Sequence, residues 1–236
     1  MPLFLLMSNI LLKGGVGKDL FGAVHAWVGH WPGGLAVATI LSCGIFAAIS
    51  GSSVATAATI GTVAIPEMIS RGYERRFVYG LLAAGGTLGI LIPPSIPMIV
   101  YGFVTEESVI ALFLAGIGPG IALIVLFVVF SMVHARFWGG QAMEPASGWE
   151  ERKRATMRAL PSLALAPLII GGISSGAFTR TEAGAFGFAE ALFIPVFVLR
   201  SFSWNGVKEG LFQSIATPVA ILLIIVGSRI VGKAIT

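Results

Sequence analysis

Long apolar segments of unequal length, separated by short polar breaks, set the pattern of this 236-residue chain. From Trp31 to Pro66 there is no charged residue in a run of 36. A single membrane crossing takes about 20 residues, so this run is too long for one span and short for two with a loop. Its polar cluster, Ser50, Gly51, Ser52 and Ser53, lies at the middle. Two apolar arms and a glycine-serine tip predict a helical hairpin over 31–69 that enters and leaves by the same face of the membrane. Irregular backbone at that depth is tolerated only where it is buried in protein or lines a cavity. Pattern alone leaves open a second reading, two short packed helices with a polar turn at the far surface.

The next charge-free run, Phe77 to Thr105, contains Gly85, Gly86, Gly89, Pro93, Pro94 and Pro97. Proline lacks an amide hydrogen and clashes with the preceding turn, so this set predicts a discontinuous helix over 77–105, broken near the middle of the bilayer. Broken helices at the midplane are a recurring device of secondary transporters, because half-helix N-termini face anions while freed carbonyls take cations.

Other segments are more ordinary. Residues 1–30 read as the end of a membrane helix followed by an interfacial arm. Met1 to Leu12 lacks the basic start and small-residue cleavage site of a signal peptide, and Lys18 to His30 is amphipathic, with Trp27 and Trp31 suited to the water–lipid boundary. Residues 109–133 predict a full span in which Gly116 and Gly120 permit close helix contact. Residues 134–158 read as a polar cytoplasmic loop. Within 159–236, Leu160 to Ser175 and Ala183 to Leu199 form spans joined by a turn at Phe178 to Glu182, and Leu211 to Val231 forms the last, for about five passes in all.

Composition agrees: 56% of residues are hydrophobic and 11% charged, against roughly 25% charged in a soluble domain. The formal charge of +4 does not indicate nucleic acid, because the basic residues form no patch interleaved with aromatics. They sit between apolar segments, at Arg71 to Arg76 and Arg152 to Arg158, as cytoplasmic loops do. Lys18, Arg136, Arg200 and Lys208 fall on that same side if the hairpin re-enters from the cytoplasm, and Glu106 and Glu107 fall on the other with Arg180. Cys43 is the single cysteine, which excludes an intrachain disulfide and a cysteine-built metal site.

Two enzyme motifs fail on chemistry. Gly172, Ile173, Ser174, Ser175 and Gly176 fit the pattern of a nucleophile elbow, but the three histidines, His25, His30 and His134, all fall in or beside surface segments, leaving no base in the membrane. Gly14 to Lys18 suggests a phosphate loop, but Leu12 stands where its first glycine belongs and Asp19 where Ser or Thr should hold magnesium. The chain is therefore not expected to be an enzyme, and no resident cofactor is expected. The hairpin tip and the broken helix offer hydroxyls, glycines and prolines without a carboxylate. Proton-driven carriers normally place Asp, Glu or His in the membrane as a relay, so neutral oxygens favour sodium over protons as the coupling ion. Glu190 lies inside a predicted span, where pairing with another helix is at least as good a reading as a site role, and it is left outside the site.

Three stretches carry a resemblance: Phe46 to Thr56 (FAAISGSSVAT), Ile65 to Met68 with Arg71 to Tyr73 (IPEM and RGY), and Gly86 to Met98 (GTLGILIPPSIPM). Phe113 to Gly120 and Phe178 to Ala183 continue it in order. The chain resembles the large membrane (permease) subunit of the tripartite ATP-independent periplasmic (TRAP) transporters over nearly its whole length. The resemblance implies an all-α integral membrane protein with the elevator-type transporter core of the ion-transporter superfamily, lying in a bacterial inner (cytoplasmic) membrane as a multi-pass protein. It implies sodium-coupled symport of an organic acid (dicarboxylate, sugar acid or keto acid), delivered by a periplasmic substrate-binding protein, with a small membrane subunit as partner. By position, Ser50, Gly51, Ser52, Ser53 and Thr56 would form the hairpin part of a sodium and substrate site, and Gly86, Thr87, Gly89, Pro93, Pro94 and Ser95 the broken-helix part. Ser52 and Thr87, with nearby backbone carbonyls, are the expected sodium ligands. Members commonly carry proline at the position of Arg180 and tyrosine or an apolar residue near Glu190. They are also nearly twice as long, so the chain is expected to be partial, with 159–236 as the first helices of a second repeat. Two rival readings are a carrier of the same superfamily that needs no binding protein, and an inactive truncated remnant.

Overall fold

The computed structural model describes residues 6–7, 10–11, 15–137, 145–174 and 180–193, with 219, 223, 226 and 227, and every regular element among them is helical. Among the described residues the helices with defined bounds are, in order, α1 (Val16–Val28), α2 (Gly34–Ser50), α3 (Ser53–Ser70), α4 (Arg75–Leu91), α5 (Ile96–Thr105), α6 (Val109–Phe137), α7 (Trp149–Ser174) and α8 (Arg180–Phe193). Ser53–Ser70, Arg75–Thr105 taken across its break, and Val109–Phe137 are long and apolar enough to cross a membrane, while Gly34–Ser50 is apolar but shorter.

A helix that is apolar all round must be enclosed, and α2 is. Leu35, Ile40, Phe46 and Ile49 are fully or almost fully buried, and α2 packs against α1, α3, α4, α6 and α7. Its buried Thr39 satisfies its own hydroxyl by donating to the Leu35 carbonyl at 2.8 Å, which keeps a polar group tolerable inside the core. Missing side chains make the close approaches. A β carbon on Gly85 of α4 would lie 2.8 Å from Cys43 Sγ of α2, one on Gly61 of α3 would lie 2.6 Å from Leu82 of α4, and one on Gly44 of α2 would lie 2.7 Å from Ile124 of α6.

At the other edge, α1 is held to α7. The Trp27 indole donates to Thr156 Oγ1 at 3.0 Å, meets the Trp149 ring edge-on at 6.2 Å and lies under the Arg152 guanidinium at 5.4 Å. By contrast α6 leaves Ile121, Val125, Leu126, Val129 and Phe130 exposed, an apolar surface suited to lipid or further protein.

Over 31–69, where a hairpin is expected, two helices of 17 and 18 residues meet at Gly51 and Ser52. The helix expected over 77–105 breaks between Leu91 and Ile96. The polar loop expected over 134–158 needs correction: α6 continues to Phe137, and α7 begins at Trp149 and runs through the charges into the apolar segment. Glu, Arg, Lys, Ala and Met are all good helix formers, so the sequence from Glu150 to Leu160 is charged without being irregular. Of the turn expected at Phe178 to Glu182, residues 178–179 lie outside the described residues and Arg180 to Glu182 instead begin α8; most of the span expected from Leu211 to Val231 also lies outside them. So do 1–5, much of the helix end expected there, and 194–199.

The glycine contacts make the packing testable. Gly85→Leu should destabilise the protein by about 1–3 kcal/mol through overpacking, read as a lower thermal unfolding midpoint in detergent. Gly80→Ala in the same helix, where a β carbon meets nothing within 4 Å, should leave the midpoint unchanged or raise it, by up to about 1 kcal/mol.

Candidate ion and substrate site

The tip of the hairpin is shaped by one residue without a side chain. Gly51 has φ 62°, in the left-handed region, and its amide donates to the Ala47 carbonyl at 2.9 Å to close the end of α2. This is a common way for a helix to stop, and glycine adopts it without a steric penalty. Ser52 then returns to extended backbone and caps α3, its Oγ accepting from the Ala55 amide at 3.4 Å.

Around that cap the hydroxyls of Ser50 and Thr56 close on each other and on the Ser52 backbone. Thr56 Oγ1 donates to the Ser52 carbonyl at 2.8 Å and lies 3.1 Å from Ser50 Oγ, while Ser50 Oγ accepts from the Ser52 amide at 3.4 Å. Ser50 and Thr56 are wholly buried, so their mutual bonds prevent the penalty of an orphaned buried polar group.

The break in α4–α5 follows from the missing amides of Pro93 and Pro94. In a continuous helix these would bond the Gly89 and Ile90 carbonyls. Ser95 takes over one of them, its Oγ donating to the Ile90 carbonyl at 2.7 Å, and it also accepts from the Met98 amide at 3.5 Å as the cap of α5. The Gly89 carbonyl receives no such replacement among the described residues. The Pro93–Pro94 peptide is cis.

These two irregularities meet. The Ile96 amide of α5 donates to the Gly51 carbonyl of the tip at 3.2 Å. A β carbon on Gly51 would run into the Pro94 carbonyl, one on Gly89 would lie 2.7 Å from the Ser52 carbonyl and the Ser53 amide, and one on Gly86 would lie 3.0 Å from Ala57. The C-terminal ends of α2 and α4 and the N-terminal ends of α3 and α5 therefore converge on one locality. C-terminal ends carry partial negative charge and N-terminal ends partial positive charge, which places carbonyls suited to a cation beside amides suited to an anion. No ionisable side chain is among the predicted site residues, and no group of three or more His, Cys, Asp or Glu able to hold a metal exists among the described residues.

Of the predicted residues, Ser50, Gly51, Ser52, Ser53 and Thr56 are joined to Gly86, Gly89, Pro94 and Ser95 by these contacts, and Pro93 lies in the connecting break. Thr87 is not brought to the tip in the same way. It stands about 100° around the helix from Gly86, is exposed, and donates its hydroxyl to the Ala84 carbonyl at 2.6 Å. Sequence reasoning missed the wall behind the break. Gly116 of α6 lies where a β carbon would be 2.7 Å from the Leu91 carbonyl and Met98, and Gly120 where one would be 3.0 Å from Ile92. Their spacing indicated a close helix contact, but nothing in it indicated which helix.

A family model described as "Tripartite ATP-independent periplasmic transporter, DctM component" matches residues 1–236. The chain belongs to the family of TRAP transporter large permease proteins. It is 40% identical over its whole length to the C4-dicarboxylate TRAP transporter large permease protein DctM of Pseudomonas aeruginosa, covering 55% of that protein. It is 39% identical over 96% of its length to the ectoine/5-hydroxyectoine permease UehC of Ruegeria pomeroyi, covering 53% of it. With the sialic acid permease SiaM of Vibrio cholerae the identity is 34% over 98% of the chain and 54% of the relative. The chain thus spans about half the length of the curated relatives it matches. Membership, together with the long apolar helices, makes it a multi-pass membrane protein.

Gly51→Ala tests the crossing. Left-handed backbone disfavours a side chain by about 1–2 kcal/mol, and the new methyl meets the Pro94 carbonyl, so a loss of about 2–5 kcal/mol is expected once overpacking is added. Gly72→Ala, with φ 83° and nothing within 4 Å, should show the conformational penalty alone. Urea or thermal unfolding of both variants in one detergent makes the comparison.

Proposed function

We propose that this chain supplies half of the transport core of a TRAP-type large permease, which takes up an organic acid together with sodium across the bacterial inner membrane by an elevator movement. The observation that carries the proposal is the junction of two helix breaks, tied by the Ile96 amide and the Gly51 carbonyl at 3.2 Å. Sodium is a hard cation and takes oxygen ligands. The Gly89 carbonyl, released by Pro93, and the carbonyls ending α2 supply them without any carboxylate.

Ser52 and Thr87 remain the proposed side-chain ligands, and the two differ in what they must give up. Ser52 is engaged through a long contact of 3.4 Å, whereas Thr87 is engaged at 2.6 Å. Hydrogen bonds weaken with length, so Ser52 is the more available, and Thr87 takes part by releasing Ala84. A substrate carboxylate is held at the N-terminal end of α3, where the first-turn amides of Ser53 and Val54 have no acceptor in their own helix. At α5 the Ile96 and Met98 amides are already engaged and Pro97 has none, so that end contributes its field more than donors.

The substrates named for these three relatives, C4-dicarboxylates, ectoine and sialic acid, carry a carboxylate, and the isethionate named for a fourth carries a sulfonate, both anions that such amides recognise. Dicarboxylate, sugar acid and keto acid all fit this reading. A periplasmic binding protein and a small membrane subunit are the proposed partners.

Ser52→Ala in the intact protein should raise the sodium concentration needed for half-maximal uptake about tenfold, equivalent to about 1.4 kcal/mol, while the amount of folded protein is unchanged. Uptake measured in proteoliposomes at graded sodium decides it, and an unchanged sodium dependence would sink the assignment of Ser52.

A further inference from the structure

A cavity of about 430 Å³ lies between α1 and α7, lined by none of the residues of the helix breaks. Its volume is within the range of roughly 300–1,000 Å³ usual for small-ligand sites. Lys18 from α1 and Arg154 and Arg158 from α7 line it, with Asp19 and Glu151 as the opposing carboxylates. The two arginines are four residues apart, so they project from the same face of α7.

Three cations face two carboxylates, an excess of one positive charge. Burial pushes the Asp19 carboxyl above its ordinary pKa, against the lowering effects of Arg158 and Lys18, so its negative charge is the less favoured. Among the described residues, none of the three cations forms an ion pair within 4 Å. Cations left unpaired around a cavity have donors to spare, and arginine matches the oxygens of a phosphate bidentately. Room is left by Gly22, where a β carbon would meet nothing within 4 Å.

The level of the cavity is marked by tryptophans. Trp27 and Trp31 are 43% and 39% exposed and Trp149 is 68% exposed, at the ends of the same two helices, and such rings settle at the headgroup level of a bilayer. The charged start of α7 lies on the basic side of the protein, which by the positive-inside rule faces the anionic cytoplasmic leaflet.

We propose that the cavity formed by Lys18, Arg154 and Arg158 over Gly22 binds a phosphate group, as carried by an anionic phospholipid headgroup or by a free phosphate. The site lies between the arm helix α1 and α7, two elements that also pack directly on one another.

Native mass spectrometry of the intact protein in detergent tests this, with dioctanoyl phosphatidylglycerol, dioctanoyl phosphatidylcholine and inorganic phosphate as separate probes. Specific phosphatidylglycerol adducts are expected, weakened at least about tenfold by Arg154→Gln/Arg158→Gln, since charge-assisted hydrogen bonds contribute about 1.5–3 kcal/mol. Gly22→Leu, which fills the cavity without touching an arginine, should weaken them as well. Arg75→Gln/Arg76→Gln, at the exposed start of α4, should not. Adducts with phosphatidylglycerol but not phosphatidylcholine identify an anionic lipid as the source. Binding of inorganic phosphate alone, lost in the same variants, identifies a soluble one. The proposal is overturned if neither probe binds, if both cavity variants bind as the parent does, or if the Arg75/Arg76 variant loses as much, which would reveal only diffuse attraction to basic surface.

Discussion

Two backbones cross at Gly51 and Pro94 with no side chain between them. Because Gly51 is in the left-handed region and lacks a β carbon, its carbonyl can turn to accept from Ile96 while its α carbon rests against the Pro94 carbonyl. Proline at 93 and 94 removes the amides that would otherwise carry α4 straight on. Each interruption leaves unmatched polar groups, and unmatched backbone groups in an apolar interior are costly. Each partly satisfies the other, so neither break is a local defect: the hairpin and the broken helix require one another.

Around this crossing the helices approach through glycines. Gly44, Gly61, Gly85, Gly86 and Gly89 replace side-chain packing with backbone proximity, the mode of association that suits helices lacking a hydrophobic driving force between them. α2 occupies the centre because it has no polar face to expose, and its few hydroxyl groups are arranged accordingly. Thr39 bonds backward to its own helix, and Ser50 bonds into the tip. The result is a site bounded by main chain, with glycine and serine fixing its shape.

Much of this was legible because proline and glycine have few physical meanings. The Ser50–Ser53 cluster at the centre of an uncharged run, and three prolines within five residues, located both interruptions to within a few residues. Their contact was not legible, since nothing in either segment specifies that Gly51 should meet Ile96. The same limit hid the role of Gly116 and Gly120, whose spacing permits a close neighbour without identifying it. The setting of Thr87 was not legible for a different reason: sequence places it beside Gly86, but one residue of helix turns it about 100° away, and a hydroxyl near a helix backbone readily bonds to its own preceding turn. Charge misled at Glu150 to Leu160, where a polar stretch turned out to be the first turns of a long helix.

The bond from Trp27 to Thr156 joins positions 129 apart in sequence. Closing a flexible loop of that length carries an entropic penalty on the order of 4 kcal/mol, well above the roughly 1 kcal/mol that one hydrogen bond returns. The Trp27 cluster therefore does not nucleate assembly. α1 emerges from the ribosome long before its α7 partner, but it has α2 and α3 to pack against, and those contacts shorten the gap that the Trp27 bond must close. The Trp27 bond is thus a late closure, made when α7 reaches helices that are already packed.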